Sequence, residues 1–181
     1  MSRIDILVKK YQDHIQLPWK KGIAAPQRVI FCVYEPVDER ALRLKMSSFE
    51  IATLQARHSW ASFDFTETFQ EWMSTQRYAE RYFEHPDRLD VLLPKYQDYL
   101  TERFNAFVEE KNIDDETVVG LSGLGSLYGF LKVKPLIEKF APLVPGRLVV
   151  LFPGRYDQQN NYRLLDGYDG WNYLAVPITS N

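Results

Sequence analysis

Residues 28–34 read Arg28-Val29-Ile30-Phe31-Cys32-Val33-Tyr34, and residues 147–152 read Arg147-Leu148-Val149-Val150-Leu151-Phe152. After its arginine, each run is apolar at every position and dominated by β-branched, aromatic and leucine side chains. Neither alternates as a half-solvated strand does. A strand without a polar side must be covered on both faces, which is the situation of a central strand in a parallel sheet. Pro36 closes the first run and Pro153-Gly154 the second.

Two more strands follow from the same reading. Ser59 to Phe65 alternates, with Trp60, Ser62 and Asp64 on one side and Ala61, Phe63 and Phe65 on the other; Thr117 to Leu121 is short and apolar. Helical spacing fills the intervals. Ile4, Leu7, Val8, Tyr11 and Ile15 form one apolar face behind Ser2, a suitable N-cap. Asp38 is placed to cap a helix running to about Arg57, with Leu42, Met46, Phe49 and Thr53 on one side. Thr66 opens another carrying Phe69, Trp72, Met73 and Gln76, and His85-Pro86-Asp87 interrupts the pattern. A long amphipathic helix then runs from Leu89 through Leu100 and Phe104 to Val108, with Pro94 either kinking its start or defining its first turn. A last helix is expected from about Leu127 to Phe140, disturbed by Pro135.

Strands alternating with helices predict a single α/β domain over residues 1–181. Its expected architecture is three-layer, with helices on both faces of a mainly parallel sheet of five or six strands. A C-terminal antiparallel hairpin is expected to pair Asn161 to Leu165 with Tyr173 to Ile178, around a turn containing Asp166-Gly167 and Asp169-Gly170.

Composition narrows the function. At 181 residues and 45% apolar content the chain can bury a full core, which excludes disorder and coiled coil. The formal net charge of −2 argues against a strongly basic nucleic-acid binder. Charge is uneven: residues 66–116 carry 13 acidic against 6 basic side chains, which marks a solvated helical layer. Cys32 is the sole cysteine, so neither an intrachain disulfide nor a thiolate zinc cluster forms, and its apolar run predicts a buried thiol. The N-terminus has no signal-like apolar stretch and no segment approaches the roughly 20 apolar residues of a membrane span, so a soluble cytoplasmic protein is expected.

The strand–turn–helix unit at 117–140 contains the chain's phosphate-binding candidate, Ser122-Gly123-Leu124-Gly125-Ser126. Backbone N–H groups of such a turn can cradle an anion. The spacing Gly123-x-Gly125-x-x-x-Gly129 is one residue longer than the dinucleotide fingerprint, and Gly-Lys-Ser/Thr is absent. The glycines serve equally well as a tight turn and a close helix–sheet approach. Glu35, Asp64 and Ser122 stand at strand ends, where open parallel sheets place ligands, or else act as helix-capping surface groups. His14, His58 and His85 lack metal-ligand spacing. Ser122 has no later histidine to serve as the base that a nucleophile elbow requires. The tail is rich in Tyr156, Tyr162, Arg163, Tyr168, Trp171 and Tyr173, a composition that suits cross-strand packing, a partner surface or, least, stacking on bases.

Residues 160–178, Asn160-Asn161-Tyr162-Arg163-Leu164-Leu165-Asp166-Gly167-Tyr168-Asp169-Gly170-Trp171-Asn172-Tyr173-Leu174-Ala175-Val176-Pro177-Ile178, resemble the closing signature of the BrxB family of bacteriophage exclusion (BREX) defence systems. Residues 123–130 and 146–154 resemble further segments of that family, and the chain has about the length of the whole family domain. The resemblance implies a role in anti-phage defence, beside a methyltransferase, a large ATPase, an alkaline-phosphatase-like protein and small accessory factors. It carries no catalytic residues onto this chain. The expectation is a non-catalytic assembly or regulatory factor that needs neither cofactor nor metal. Arg163, Tyr168, Trp171 and Tyr173 form its candidate partner surface for other BREX proteins, with direct DNA contact not favoured. The alternative is a degenerate nucleotide-binding protein using Ser122, Gly123, Gly125 and Ser126.

Overall fold

The structure is a computed structural model that describes residues 1–167 and 170–181. Helix α1 (Arg3–Ile15) begins where the sequence places it: the Ser2 hydroxyl accepts from Asp5 N at 3.1 Å, and the Asp5 carboxylate accepts in return from Ser2 N at 3.0 Å. Those bonds, with the Lys45 ammonium 3.1 Å away, lower the Asp5 pKa to about 2. Ile4, Leu7, Tyr11 and Ile15 form the buried face.

Strand β1 (Val29–Tyr34) is buried at all six positions. The helix expected from Asp38 to Arg57 is divided by Lys45 into α2 (Glu39–Leu44) and α3 (Met46–Gln55). Asp38 does not cap it, because its carboxylate takes a bidentate contact from Arg3 of α1, at 2.8 and 3.1 Å. Strand β2 (Ser59–Asp64) follows. Helix α4 (Thr68–Ser74) starts two residues later than Thr66, which instead closes a turn on Asp64. A short helix α5 (Ala79–Glu84) and a 3-10 stretch then lead to the long α6 (Leu93–Glu110). Pro94 sits in the first turn of α6, where a missing N–H costs nothing.

Strand β3 (Thr117–Ser122) passes into a single 3-10 turn, Leu124–Leu127. The helix expected from Leu127 is delayed to α7 (Val133–Phe140): Gly129 is left-handed (φ 80°), and Pro135 is tolerated only in a first turn. Strand β4 (Arg147–Asp157) runs eleven residues, past Pro153-Gly154, and is followed by β5 (Asn161–Leu164), β6 (Trp171–Asn172) and β7 (Val176–Thr179).

Five strands lie in the order β2-β3-β4-β1-β7, and every pair among them is parallel. The mixed α/β fold with a parallel centre is therefore as the sequence predicts. The tail meets expectation only in part. Strand β5 does pair antiparallel with a following strand, but that strand is the short β6, with Tyr162 opposite Trp171. On its other side β5 pairs with the extended end of β4, Tyr156 opposite Tyr162, through a turn at Gln158 to Asn160 in which Gln159 and Asn160 are left-handed. Residues 176–179 do not fold back on β5; they join the parallel sheet beside β1. Burial explains the exchange, since Ile178 packs with Ile30, Cys32 and Tyr34 of β1.

Alternate side chains of β1 enter two separate core clusters. Val29, Phe31 and Val33 pack with residues of α4, α6 and α7, while Ile30, Cys32 and Tyr34 pack with residues of α1, α2 and α3. Each cluster is pinned by the same device. The buried Tyr11 hydroxyl of α1 meets Thr53 Oγ1 of α3 at 2.6 Å, and the Tyr96 hydroxyl of α6 meets Thr68 Oγ1 of α4 at 2.7 Å. Both threonines hand their own protons to a nearby backbone carbonyl, so each chain of donors is complete.

The indole of Trp60 lies over Gly120 of the adjacent strand, in the place a β-carbon would occupy. Gly120→Ala is expected to destabilise the fold by about 1–3 kcal/mol in urea denaturation. Combined with Trp60→Leu, the loss should fall short of the sum of the two single changes, because the smaller side chain vacates the space.

Candidate functional site

At the C-terminal ends of the parallel strands, β1 hands the chain to α2, which packs in one core cluster, and β3 hands it to the 3-10 turn and α7, which pack in the other. Strand β4 lies between them. Connections that leave to opposite sides open a crevice, the usual ligand position in open α/β sheets. Here the crevice measures about 200 Å³ and is lined by Glu39 and Arg43 of α2, by Gly123, Gly125 and Ser126, and by Pro153.

Its polar groups are paired with one another. Arg43 Nε donates to Glu39 Oε1 at 2.8 Å, Nη2 donates to Thr66 Oγ1 at 2.8 Å, and Nη1 lies 3.8 Å from Asp64 Oδ2. Asp64 Oδ1 accepts from Thr66 N at 2.9 Å and from Thr66 Oγ1 at 2.5 Å. The Tyr34 hydroxyl donates to Glu39, and burial together with that carboxylate pushes its pKa up. Arg43 thus ties α2 to the end of β2. One guanidinium faces two carboxylates, so the crevice does not attract a further anion.

Of the turn residues singled out in the sequence, Gly123 has the strongest structural requirement. It is left-handed at φ 74°, and a β-carbon there would collide with Asp64 and Thr66. Gly125 lacks positive φ, and the nearest atom to an added β-carbon is Pro153 Cγ at 3.8 Å. The Ser122 carbonyl accepts from Phe65 N at 2.9 Å, and Ser126 N donates to Gly123 O at 3.0 Å. Gly123, Gly125 and Ser126 line the crevice and Ser122 does not, and the turn leads into four 3-10 residues and not into an α-helix N-terminus. Glu35 opens onto a different crevice, beside Gly154 to Asp157. His58 stands at the opposite end of the sheet, just before β2.

That opposite end holds a cluster that the sequence reading did not find. Trp19 stacks on His58 with ring centroids 3.6 Å apart, and the Arg147 guanidinium lies 4.5 Å from the Trp19 centroid. Arg147 is buried and donates to the Gly146 and Lys20 carbonyls; burial and nearby Arg28 lower its pKa. The arrangement holds the 17–24 segment against the sheet. In the crevice, Glu39 and Arg43 were likewise unassigned. Their i,i+4 spacing was a visible signal, but the contact with Thr66 was not.

The C-terminal surface is part core and part solvent. Arg163 is exposed, opposite Arg155 across the β4–β5 pair and 3.4 Å from Asp157. Trp171 is half-buried, and its ring packs with Phe31, Phe152, Tyr162 and Tyr173. Trp171 and Tyr173 share one face, as strand alternation predicts, but Tyr173 is only 6% exposed and contributes packing. Tyr168 and Asp169 lie outside the described residues. Trp171 also lines a 640 Å³ groove with Leu93, Phe130, Val133 and Leu164.

The Cys32 thiol is fully buried, which raises its pKa. Among the described residues no group of three His, Cys, Asp or Glu side chains is placed to hold a metal ion, and no helix is long and apolar enough to cross a membrane. No protein-family model matches the chain, and no curated protein or solved structure does either.

Gly123→Ala is expected to cost about 1–3 kcal/mol from positive φ and crowding combined, while Gly125→Ala should stay within about 0.5 kcal/mol of the parent; chemical denaturation distinguishes them. The buried Tyr162 hydroxyl has no hydrogen-bond partner among the described residues. Tyr162→Phe should therefore leave thermal stability unchanged or raise it, because it removes a desolvated polar group and keeps the ring.

Proposed function

We propose that this chain is a three-layer α/β component of a BREX anti-phage defence system, a BrxB-like factor that assembles or regulates the system's other proteins and performs no chemistry of its own. The observation that carries the reading is spatial. The three segments that resemble the family, 123–130, 146–154 and 160–178, are separated by 15 and 5 residues in sequence and adjoin around Pro153: Leu165 N donates to the Pro153 carbonyl at 2.9 Å, and Gly125 lies beside the Pro153 ring. A second support is the crevice itself, whose guanidinium is already engaged by Glu39, Thr66 and Asp64.

The partner surface on this reading is the solvent side of the C-terminal hairpin. Arg163 and Arg155 supply forked donors, and the outer edge of Trp171 supplies apolar contact beside the 640 Å³ groove. Nucleotide binding at Ser122 to Ser126 is the second reading, favoured by the position of that turn at the switch point of the sheet. Against it stand a crevice of about 200 Å³, below the roughly 300–1,000 Å³ of small-molecule pockets, and the excess of carboxylates.

Arg163→Glu is expected to leave the circular dichroism spectrum and melting temperature unchanged and to weaken co-purification with the other BREX proteins by about tenfold or more, the loss of one interface anchor. Undiminished co-purification of the folded variant removes the hairpin as the interface. A thermal shift with ATP or GTP that Gly125→Val abolishes would favour the second reading.

A further inference from the structure

The sheet has two edges, and they are treated differently. Edge strand β7 contains Pro177, which has no N–H to offer a further strand, and Lys10 of α1 donates to the Thr179 carbonyl at 2.8 Å. Edge strand β2 reads Ser59-Trp60-Ala61-Ser62-Phe63-Asp64, with neither proline nor charge before its last residue. Ser59 N donates to Glu116 O and Phe65 N to Ser122 O, so odd-numbered residues turn their backbone groups toward β3. Trp60, Ser62 and Asp64 turn theirs outward, and their N–H groups have no partner among the described residues.

The side chains clear a path to those groups. Trp60 folds inward over Gly120, and Phe63 packs inward with Phe65, Phe104 and Phe107. The small Ser59, Ala61 and Ser62 are left along the rim. Charge sits at the ends: at one Asp64, whose outer oxygen lies 3.8 Å from Arg43, and at the other the exposed Arg57, which has no ion pair among the described residues, beside His58 with Glu116 3.0 Å from its ring.

We propose that β2 pairs antiparallel with β2 of a second copy of this chain, about a two-fold axis at Ala61. Backbone geometry selects this register. Trp60 and Ser62 of one copy face Ser62 and Trp60 of the other and exchange their outward N–H and C=O groups. Ala61 meets its own copy at the non-hydrogen-bonded position, where opposed strands approach most closely and a small side chain fits. Charge selects the direction: antiparallel pairing sets Asp64 beside the other copy's Arg57–His58 end, at both ends of the interface, whereas parallel pairing opposes like ends. The contact is isologous, so it closes at two copies and joins two five-stranded parallel sheets into one. It is independent of the BREX reading.

Sedimentation velocity over a wide concentration range tests the pairing. Wild-type protein should pass from monomer toward twice the chain mass with a Kd between about 1 μM and 1 mM, the range of a small interface. Ser62→Pro removes an N–H that the monomer does not use and blocks the exchange; Ser62→Lys guards the edge by charge. Both should remain monomeric with an unchanged circular dichroism spectrum. Arg57→Glu, which sets like charges at each end, should raise Kd by about tenfold at low salt. Wild-type protein that stays monomeric at the highest concentration overturns the proposal, as does dimerisation of folded Ser62→Lys at wild-type affinity. If Ser62→Pro fails to fold, Ser62→Lys decides.

Discussion

The structure depends on the pairing of β1 with β4. Six consecutive register pairs, from Val29 opposite Leu148 to Tyr34 opposite Pro153, run without a charged side chain on either strand. Such a ribbon is stable only when both faces leave water, at roughly 25 cal/mol for each Å² of apolar surface removed. Every crossover must therefore lay a helix on one face or the other. The separation of the interior into two clusters, divided by the sheet itself, is the direct result.

Packing at the two faces then sets the less regular features. The Phe104 and Phe140 rings stack at 3.9 Å and join α6 to α7, while Phe63 reaches them edge-on from β2. On the other face Tyr11 tilts against Phe49 and bonds Thr53. Where a ring has to cross a strand, the strand gives up its side chain, as Gly120 does beneath Trp60. The acidic residues of the 66–116 stretch remain solvated outside these contacts, which is why they shape the surface and not the fold.

At the strand ends the constraint is polar. Two carboxylates, a guanidinium and a phenol come together where α2 leaves β1 and the turn leaves β3, and they satisfy one another. Gly123 permits that closeness by lacking a side chain. The same lack at Gly154 lets β4 continue beside the Arg163 carbonyl, so β4 can run on into the hairpin. The crevice and the hairpin are consequently joined through one strand, β4, and its Pro153.

Local order was legible in the sequence where a single element settled it. The capping box at Ser2, the buried face of α1, the four strands that begin near Val29, Ser59, Thr117 and Arg147, and the shared face of Trp171 and Tyr173 follow from period and side-chain type alone. Pro94 marks the first turn of α6, one of the two roles its position allowed, whereas Pro135 lies in a first turn and not in the middle of a longer helix as expected. Pairing was different. Whether residues 176–179 continue the hairpin begun by β5 and β6 or join the parallel sheet turns on which apolar strand β1 lacks on its open side, and β7 fills that place. Asp38 and Thr66 look like helix caps in isolation, but Arg3 claims the first, while the second is shared by Arg43 and Asp64. Period and propensity report what a residue does within its own turn or strand. Partners supplied by other elements are chosen by burial and charge satisfaction across the folded chain, and tertiary structure alone decides them.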